Sequence, residues 1–395
     1  RKHGRGEAYS SHLLVKKESP YMGTKTGKYD TLPRLQRCCE KRIPIHGDEI
    51  AYFLMLFAGE VITMSWLYLT EAGAKLGLRE GRYVISRENE TMAEVPSEMV
   101  EGVTLIDAIQ VSSRVIVDCL KRNIPVTWLS TEGKFFGRLE STSDRDVLQV
   151  KEQFDVLQDK KFCLDLGRMV IFRKIYNQRA ILRNYNRRAG LEHVKEAYDR
   201  IRILADKLHE TKNIEEVMGY EGAISRIYFK TLSSFLPSEF QFEKRSRRPP
   251  RDFFNSMLSF GYTLLMYDFY SAIARTGLSP YIGLLHTLRK GHPALASDLM
   301  EPWRAAIVDS FCLALVTHRE IDGDCFVKND DNGGVYLNRV GRRIFIQAYE
   351  RKLLSINSYF NGKYSWRHTI QMECDSYRQA LHTKNPETLK ALVIR

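Results

Sequence analysis

Hydrophobic and polar positions change rhythm twice along the chain. Over residues 1–63 the apolar positions follow no period, scattered among Gly, Ser, Lys and Tyr, and only 51–58 is strongly apolar. At Met64 the character shifts to Met64-Ser65-Trp66-Leu67-Tyr68-Leu69-Thr70, the expected start of a functional module. From 66 to about 140, β-branched and aromatic runs bounded by Gly, Asn and Glu predict short strands at 83–85, 102–106, 125–129 and 135–139. Between them Val115, Ile116, Cys119 and Leu120 fall at helical spacing behind a capping serine, Ser112 or Ser113. A polar, turn-prone stretch at 141–146 closes this region. Beyond about 152, apolar residues recur at i, i+3 and i+4 through long stretches of Leu, Ala, Arg, Lys and Glu. The expected fold class is α+β: a small N-terminal β-sandwich-like domain over 64–145, then a larger all-α domain over 152–395. Residues 1–63 read as an N-terminal extension or the remnant of an upstream fusion, with no fold assigned.

That division suits 395 residues of which 44% are hydrophobic and 27% charged, a composition that buries a core and is unlike a disordered chain. Lys and Arg number 60 against 48 Asp and Glu, a net charge of +12. Such an excess calls for a polyanionic partner, either nucleic acid or an acidic membrane surface. Residues 1–63 hold 11 basic and 7 acidic groups, +4, so +8 of the excess belongs to 64–395. No apolar run approaches the ~20 residues that span a bilayer. The longest candidate, 50–62, is broken by Gly59 and Glu60. With no secretory signal at its start the chain reads as soluble and cytoplasmic, without a membrane partner. Its 7 cysteines, scattered and without a C-x-x-C pair, form neither a disulfide framework nor a zinc site, and most are expected as small buried hydrophobes.

Three constellations carry chemistry. Between Arg168 and Arg188 there are seven basic residues and no acid, and Arg179, Arg183 and Arg187 stack at i, i+4, i+8 on one helix face. Like charges at that spacing repel, and a phosphate backbone would relieve them, although a solvated face paired with acids elsewhere has the same pattern. The run Lys244-Arg245-Ser246-Arg247-Arg248-Pro249-Pro250-Arg251-Asp252 is a basic loop held extended by its prolines, suited to phosphate contacts through Arg247, Arg248 and Arg251. Finally, Glu221, His286, Asp298 and Glu301 are groups able to bind a metal, the last two sharing a helix face at i, i+3. Carboxylates with an imidazole suit Mg²⁺ or Mn²⁺. Each also has a plain reading: Glu221 as a helix-start acid, His286 as a core histidine, Asp298 and Glu301 as partners of Arg304 or Arg289.

Taken together and in order, these segments resemble the CRISPR adaptation integrase family over roughly 66–350. The resemblance begins at Leu69-Thr70-Glu71-Ala72-Gly73-Ala74 and continues through Tyr220-Glu221-Gly222-Ala223 with Tyr228-Phe229. It includes Arg248-Pro249-Pro250-Arg251-Asp252 with Asn255 and Leu258-Ser259-Phe260-Gly261-Tyr262. Leu285-His286, then Asp298-Leu299-Met300-Glu301-Pro302-Trp303-Arg304, then Ala348-Tyr349-Glu350 complete it, and the Asp-Leu-Met-Glu block is its most specific element.

The resemblance implies a β domain that forms a homodimer and a helical catalytic domain. It implies metal ligands at Glu221, His286 and Glu301, with Asp298 an auxiliary catalytic acid, and Mg²⁺ or Mn²⁺ as the ion. DNA contacts are expected from Arg179, Arg183, Arg187, Arg247, Arg248, Arg251 and Asn255. The partners it implies are double-stranded DNA, both fragment and CRISPR repeat, and a small ferredoxin-like protein of the adaptation machinery. The reaction is metal-dependent transesterification, in which the 3′-hydroxyl of a short DNA fragment attacks a phosphodiester of repeat DNA. Two other readings remain: a stand-alone metal-dependent nuclease acting on branched DNA, and a non-enzymatic nucleic-acid-binding protein. Neither a Tyr-x-Asp-Asp motif nor a cysteine cluster in 1–63 supports a fused polymerase or iron–sulfur nuclease there.

Overall fold

Residues 65–142 and 146–394 are described by the computed structural model, so the expectations for 1–63 lie outside them. Short runs of four to seven residues give seven strands in the first part, β1 (Ser65–Leu69), β2 (Lys75–Arg79), β3 (Arg82–Arg87), β4 (Glu90–Pro96), β5 (Val100–Ile106), β7 (Val126–Leu129) and β8 (Phe135–Leu139), joined by the two-residue β6 (Gln110–Val111). They build two four-stranded sheets, ordered β1-β5-β7-β8 and β4-β3-β2-β6. In the first, β1/β5 and β5/β7 are parallel and β8 closes the edge antiparallel to β7. A parallel pair needs a crossover, and helix α1 (Ser113–Lys121) is part of the connection from β5 to β7. Ser112 is its cap, its Oγ accepting the Val115 N–H.

Leu76, Tyr83 and Ile85 from one sheet and Val103, Leu105 and Val126 from the other bury in a single apolar cluster with Val115 and Cys119 of α1. This is the β-sandwich-like N-terminal part that the pattern predicts. The turn after β1 requires Gly73, whose φ of 81° is the left-handed conformation side chains avoid.

Helices follow: α2 (Val147–Val156), α3 (Lys160–Ala189), α4 (Glu192–Asp206), α5 (Ile214–Ser233), α6 (Phe253–Arg275), α7 (Ala294–Leu299) and a single turn, α8 (Glu301–Trp303). A π-helical turn over Arg304–Asp309 runs into α9 (Ser310–Thr317), then α10 (Arg339–Leu354) and α11 (Trp366–Thr383). Capping acids and amides set the starts: Asp159 for α3, Asn213 for α5 and Asp252 for α6 each accept an N–H of the first turn. α6 is apolar around most of its circumference and is buried accordingly, with Phe254, Leu258, Leu265 and Phe269 inaccessible. Trp303 packs edge-on against Phe269 and Trp366, which ties α8 to α6 and α11.

Helical periodicity alone leaves two features out. The helical part carries two antiparallel hairpins, β9 (Phe326–Lys328) with β10 (Val335–Leu337), and β11 (Ile356–Tyr359) with β12 (Gly362–Ser365). Contacts also join the sheets to the helices, where the Arg339 guanidinium of α10 grips Glu71 at 2.6 and 3.0 Å. Phe135 of β8 stacks on Tyr267 of α6, ring centroids 4.4 Å apart. All five described cysteines are buried and free, as expected. No helix among the described residues is long and apolar enough to cross a membrane.

Candidate active site

The site is built where α3, α5, α8 and the segment before α7 converge. Glu221 projects from α5, and Ser225 one turn on donates its hydroxyl to Glu221 Oε1 at 2.7 Å. Asn213 caps α5 and Glu215 and Glu216 fill its first turn. Glu221 therefore lies beyond the reach of the helix-start dipole, which removes the plain explanation for its presence. Glu301 opens α8 with its side chain 6% exposed.

Between these carboxylates sits an ammonium. Lys174 Nζ lies 2.5 Å from Glu221 Oε1 and 2.6 Å from Glu301 Oε2, and the Arg304 Nε approaches the latter oxygen at 3.1 Å. Burial alone would raise the Glu301 carboxyl, but Arg304, Lys174 and His286 together hold it down at about 2. Glu221 is likewise lowered, with Lys174 outweighing burial. Lys174 is raised, because the two carboxylates overcome the burial that favours its neutral form. All three groups are thus charged near neutral pH.

His286 is placed by Asp298. Oδ1 of this fully buried carboxylate lies 2.6 Å from His286 Nδ1. Asp298 also accepts the backbone N–H groups of Leu284 and Leu285 on Oδ2, at 2.6 and 3.0 Å, and of His286 on Oδ1 at 3.1 Å. The close approach demands glycine at 283, where a Cβ would stand 2.5 Å from Asp298 Oδ2 and 2.7 Å from the Ala294 backbone. With Nδ1–H directed at a carboxylate, Nε2 is the free ring nitrogen, the arrangement of a metal-ligating histidine. Burial lowers the His286 pKa, but the Asp298 hydrogen bond and the charges of Asp298 and Glu301 raise it overall. At 29% exposure the side chain is also more open than a core histidine.

Two carboxylates and an imidazole thus share one electrostatic neighbourhood, with Asp298 supporting from behind. Among the described residues no three carboxylate, imidazole or thiol groups close into a ready ion cage. The two carboxylates are nonetheless already spanned by a cation, and hard oxygen donors with one nitrogen fit Mg²⁺ or Mn²⁺.

A family model for CRISPR associated protein Cas1 matches residues 67–351. The chain belongs to the Cas1 family. A CRISPR-associated endonuclease Cas1 of Mycobacterium tuberculosis is 31% identical over 329 residues, covering 82% of this chain and 96% of its own. Among solved structures, a casposase bound to integration product superposes with a TM-score of 0.73 at 23% identity, covering 84% of this chain and 96% of the casposase. A Cas6-RT-Cas1–Cas2 complex gives 0.74 at 23% identity, covering 85% of this chain and 37% of that longer one. At that identity the two structures share the Cas1 fold.

Around this Cas1 site the basic residues differ in what they offer. Arg183 and Arg187 are exposed on α3. Arg179 instead turns onto α4, its guanidinium 4.2 Å from the centre of the Tyr198 ring. Arg247 and Arg248 are exposed on the basic loop, and Arg251 donates to the carbonyls of Asn332 and Gly333 in the turn between β9 and β10. His292, whose ring centre is 5.8 Å from that of His286, has its pKa lowered by burial, then by His286, with lesser contributions from Arg289 and Arg248. The basic loop is therefore within electrostatic reach of the site.

Asn255 departs from its expected role. It is wholly buried, and its Nδ2 donates to the Lys244 carbonyl and Asp252 Oδ2, while Oδ1 accepts Arg245 Nη1 at 2.6 Å and the Ser246 N–H at 3.2 Å. With every amide valence engaged, it shapes the loop and has no free group for a phosphate. Arg245 lies over Tyr262 at 5.4 Å and Arg304 over the same ring at 4.6 Å, so the root of the loop and the acid site share an aromatic support.

Lys174 is the site residue that the basic stripe conceals. Read as one of seven cations on α3, it belongs instead to the buried face with Gly167, Ile171, Gln178 and Ile181. That spacing was the available signal, since a lysine in an apolar stripe needs a buried acid.

Proposed function

We propose that the chain is a divalent-ion-dependent DNA integrase of CRISPR adaptation, joining 3′-hydroxyl ends of short DNA fragments to CRISPR repeat DNA by transesterification. The observation that carries this reading is the convergence of Glu221, Glu301 and His286, from separate stretches of sequence, in a chain that also exposes arginines on α3 and on a basic loop rooted against the same Tyr262 as Arg304. Glu221, Glu301 and His286 Nε2 would hold Mg²⁺ or Mn²⁺, which when bound lowers the cost of deprotonating a hydroxyl and of placing charge on phosphorus. Asp298 keeps His286 in one tautomer and one orientation. Arg183, Arg187, Arg247 and Arg248 bind phosphates and fix the DNA strands against the site, and Arg251 braces the loop that carries two of them. The casposase structure, bound to integration product, supports the joining reaction over simple hydrolysis.

The β-sandwich-like part over 64–145 serves as the dimerisation domain, and the helical part from 152 as the catalytic one. The Cas1–Cas2 complex among the fold relatives supports a small ferredoxin-like partner. The M. tuberculosis relative is named an endonuclease, which favours as second reading a nuclease acting on branched DNA with water as nucleophile at the same residues. A purely architectural DNA-binding role leaves the buried acids around Lys174 without purpose.

The test is strand transfer from a labelled fragment with free 3′-hydroxyls into a supercoiled, repeat-bearing plasmid with Mn²⁺. Wild type is expected to label the plasmid, and His286→Ala and Glu301→Ala to abolish labelling. Nicked but unlabelled plasmid selects the nuclease reading. Equal labelling by all three proteins rejects the site.

A further inference from the structure

Lys174 lies between Glu221 and Glu301, the two carboxylates that would hold an ion at this site. Its ammonium stands 2.5 Å from Glu221 Oε1 and 2.6 Å from Glu301 Oε2, on a side chain only 8% exposed. A small divalent ion binds carboxylate oxygens at roughly 2.0–2.2 Å, so it and an ammonium cannot occupy the space between the same two oxygens. Their like charges also repel. Arg304, the other cation on Glu301, is held in place by its stacking on Tyr262 at 4.6 Å. The flexible four-carbon stem of Lys174 is the member free to give way.

We propose that Lys174 is a built-in counter-cation that holds Glu221 and Glu301 together until a divalent ion displaces it, and so sets the affinity of the site for that ion. This rests on the reading of Glu221, His286 and Glu301 as ion ligands. Lys174 is a positioning residue in this role. It keeps two buried carboxylates from repelling each other when no ion is bound, and every ion that enters must first break its two ion pairs. The site stays assembled without an ion, and its ion affinity is held below what the donors alone would give.

The experiment is calorimetric titration of the whole chain with Mn²⁺, without DNA, for wild type, Lys174→Met, Lys174→Gln and Glu301→Gln, with melting temperatures recorded with and without Mn²⁺. Lys174→Met is expected to bind Mn²⁺ about tenfold or more tightly than wild type, the size of change that removing one competing charge produces. It should melt lower than wild type without ion and gain more from Mn²⁺. Lys174→Gln removes the charge but keeps a hydrogen-bond donor, so it stays folded if Lys174→Met does not, and should shift affinity in the same direction. Binding that needs Glu301 but is equal or weaker in both Lys174 variants overturns the inference alone. Wild-type binding that is absent, or untouched by Glu301→Gln, overturns the site reading and the inference with it.

Discussion

His286 and Asp298 are joined by a 2.6 Å contact from Nδ1 to Oδ1, on a carboxylate that also gathers three backbone N–H groups of the segment bearing the histidine. One buried acid thus fixes both the loop and the ring. Asp298→Asn keeps the shape but replaces a charged acceptor with a neutral amide that also brings two unmatched donors. Strand transfer by Asp298→Asn is expected to fall by about 10–100-fold, as for other groups that orient a metal-ligating histidine. A melting curve separates this from unfolding, and a folded variant with wild-type rate would refute the orienting role.

The exposed arginines carry a different signature. Arg183, Arg187, Arg247 and Arg248 face solvent on α3 and the basic loop. Each phosphate contact removed lowers the slope of log affinity against log salt by about 0.9 for duplex DNA. The fourfold alanine variant should therefore show a slope shallower by roughly 3–4, whatever the DNA sequence. Arg179→Ala, with its guanidinium over Tyr198, should leave the slope unchanged. Affinities measured from low to high salt decide it.

Asn255 acts through folding. Its buried amide closes the loop by accepting from Arg245 and Ser246 and donating to Lys244 and Asp252. Asn255→Ala strands these partners, and a loss of about 2–3 kcal/mol in denaturant unfolding is expected. An alanine variant of full stability with weakened DNA binding would restore the direct DNA role expected from the sequence.

What the sequence disclosed follows from how local each feature is. Ser112, behind Val115 and Cys119, announces α1 because capping and periodicity are short-range. The grouping of Glu221, His286, Asp298 and Glu301 came from resemblance, since no spacing rule joins a residue of α5 to one of α8. The hairpins of the helical part are hidden by their brevity. The two-residue β11–β12 loop is Phe360-Asn361, with Phe360 at a φ of 47° that a bulky side chain does not announce, and its flanking runs are too short to compete with the helical pattern on either side. Lys174, Arg179 and Asn255 sit otherwise than the stripe and the loop suggest for one reason: charge and polarity along the chain do not show what packs against each, here two acids, a tyrosine ring and the backbone of the loop.

Glu373 makes a prediction in pH. It is buried on α11, and its Oε2 accepts the Trp303 indole N–H at 2.8 Å and the Leu392 N–H at 2.9 Å. Burial pushes its carboxyl up to about 8, against the pull of these two donors. In the unfolded chain the same group titrates near the ordinary glutamate value of about 4.3. Between those values the folded state keeps a proton that the unfolded state has released, so raising the pH favours unfolding. Stability from this group is intact below about pH 4, declines as pH rises to about 8, and is constant above, a loss of a few kcal/mol in all. Glu373→Gln keeps an oxygen for both donors and cannot ionise. Its melting temperature should change less than that of wild type from pH 5 to 9 and exceed it at the alkaline end. The Glu373 bond to Trp303 also anchors the turn that carries Glu301, two residues before. Parallel melting curves for the two proteins would mean that Glu373 titrates as an ordinary carboxyl.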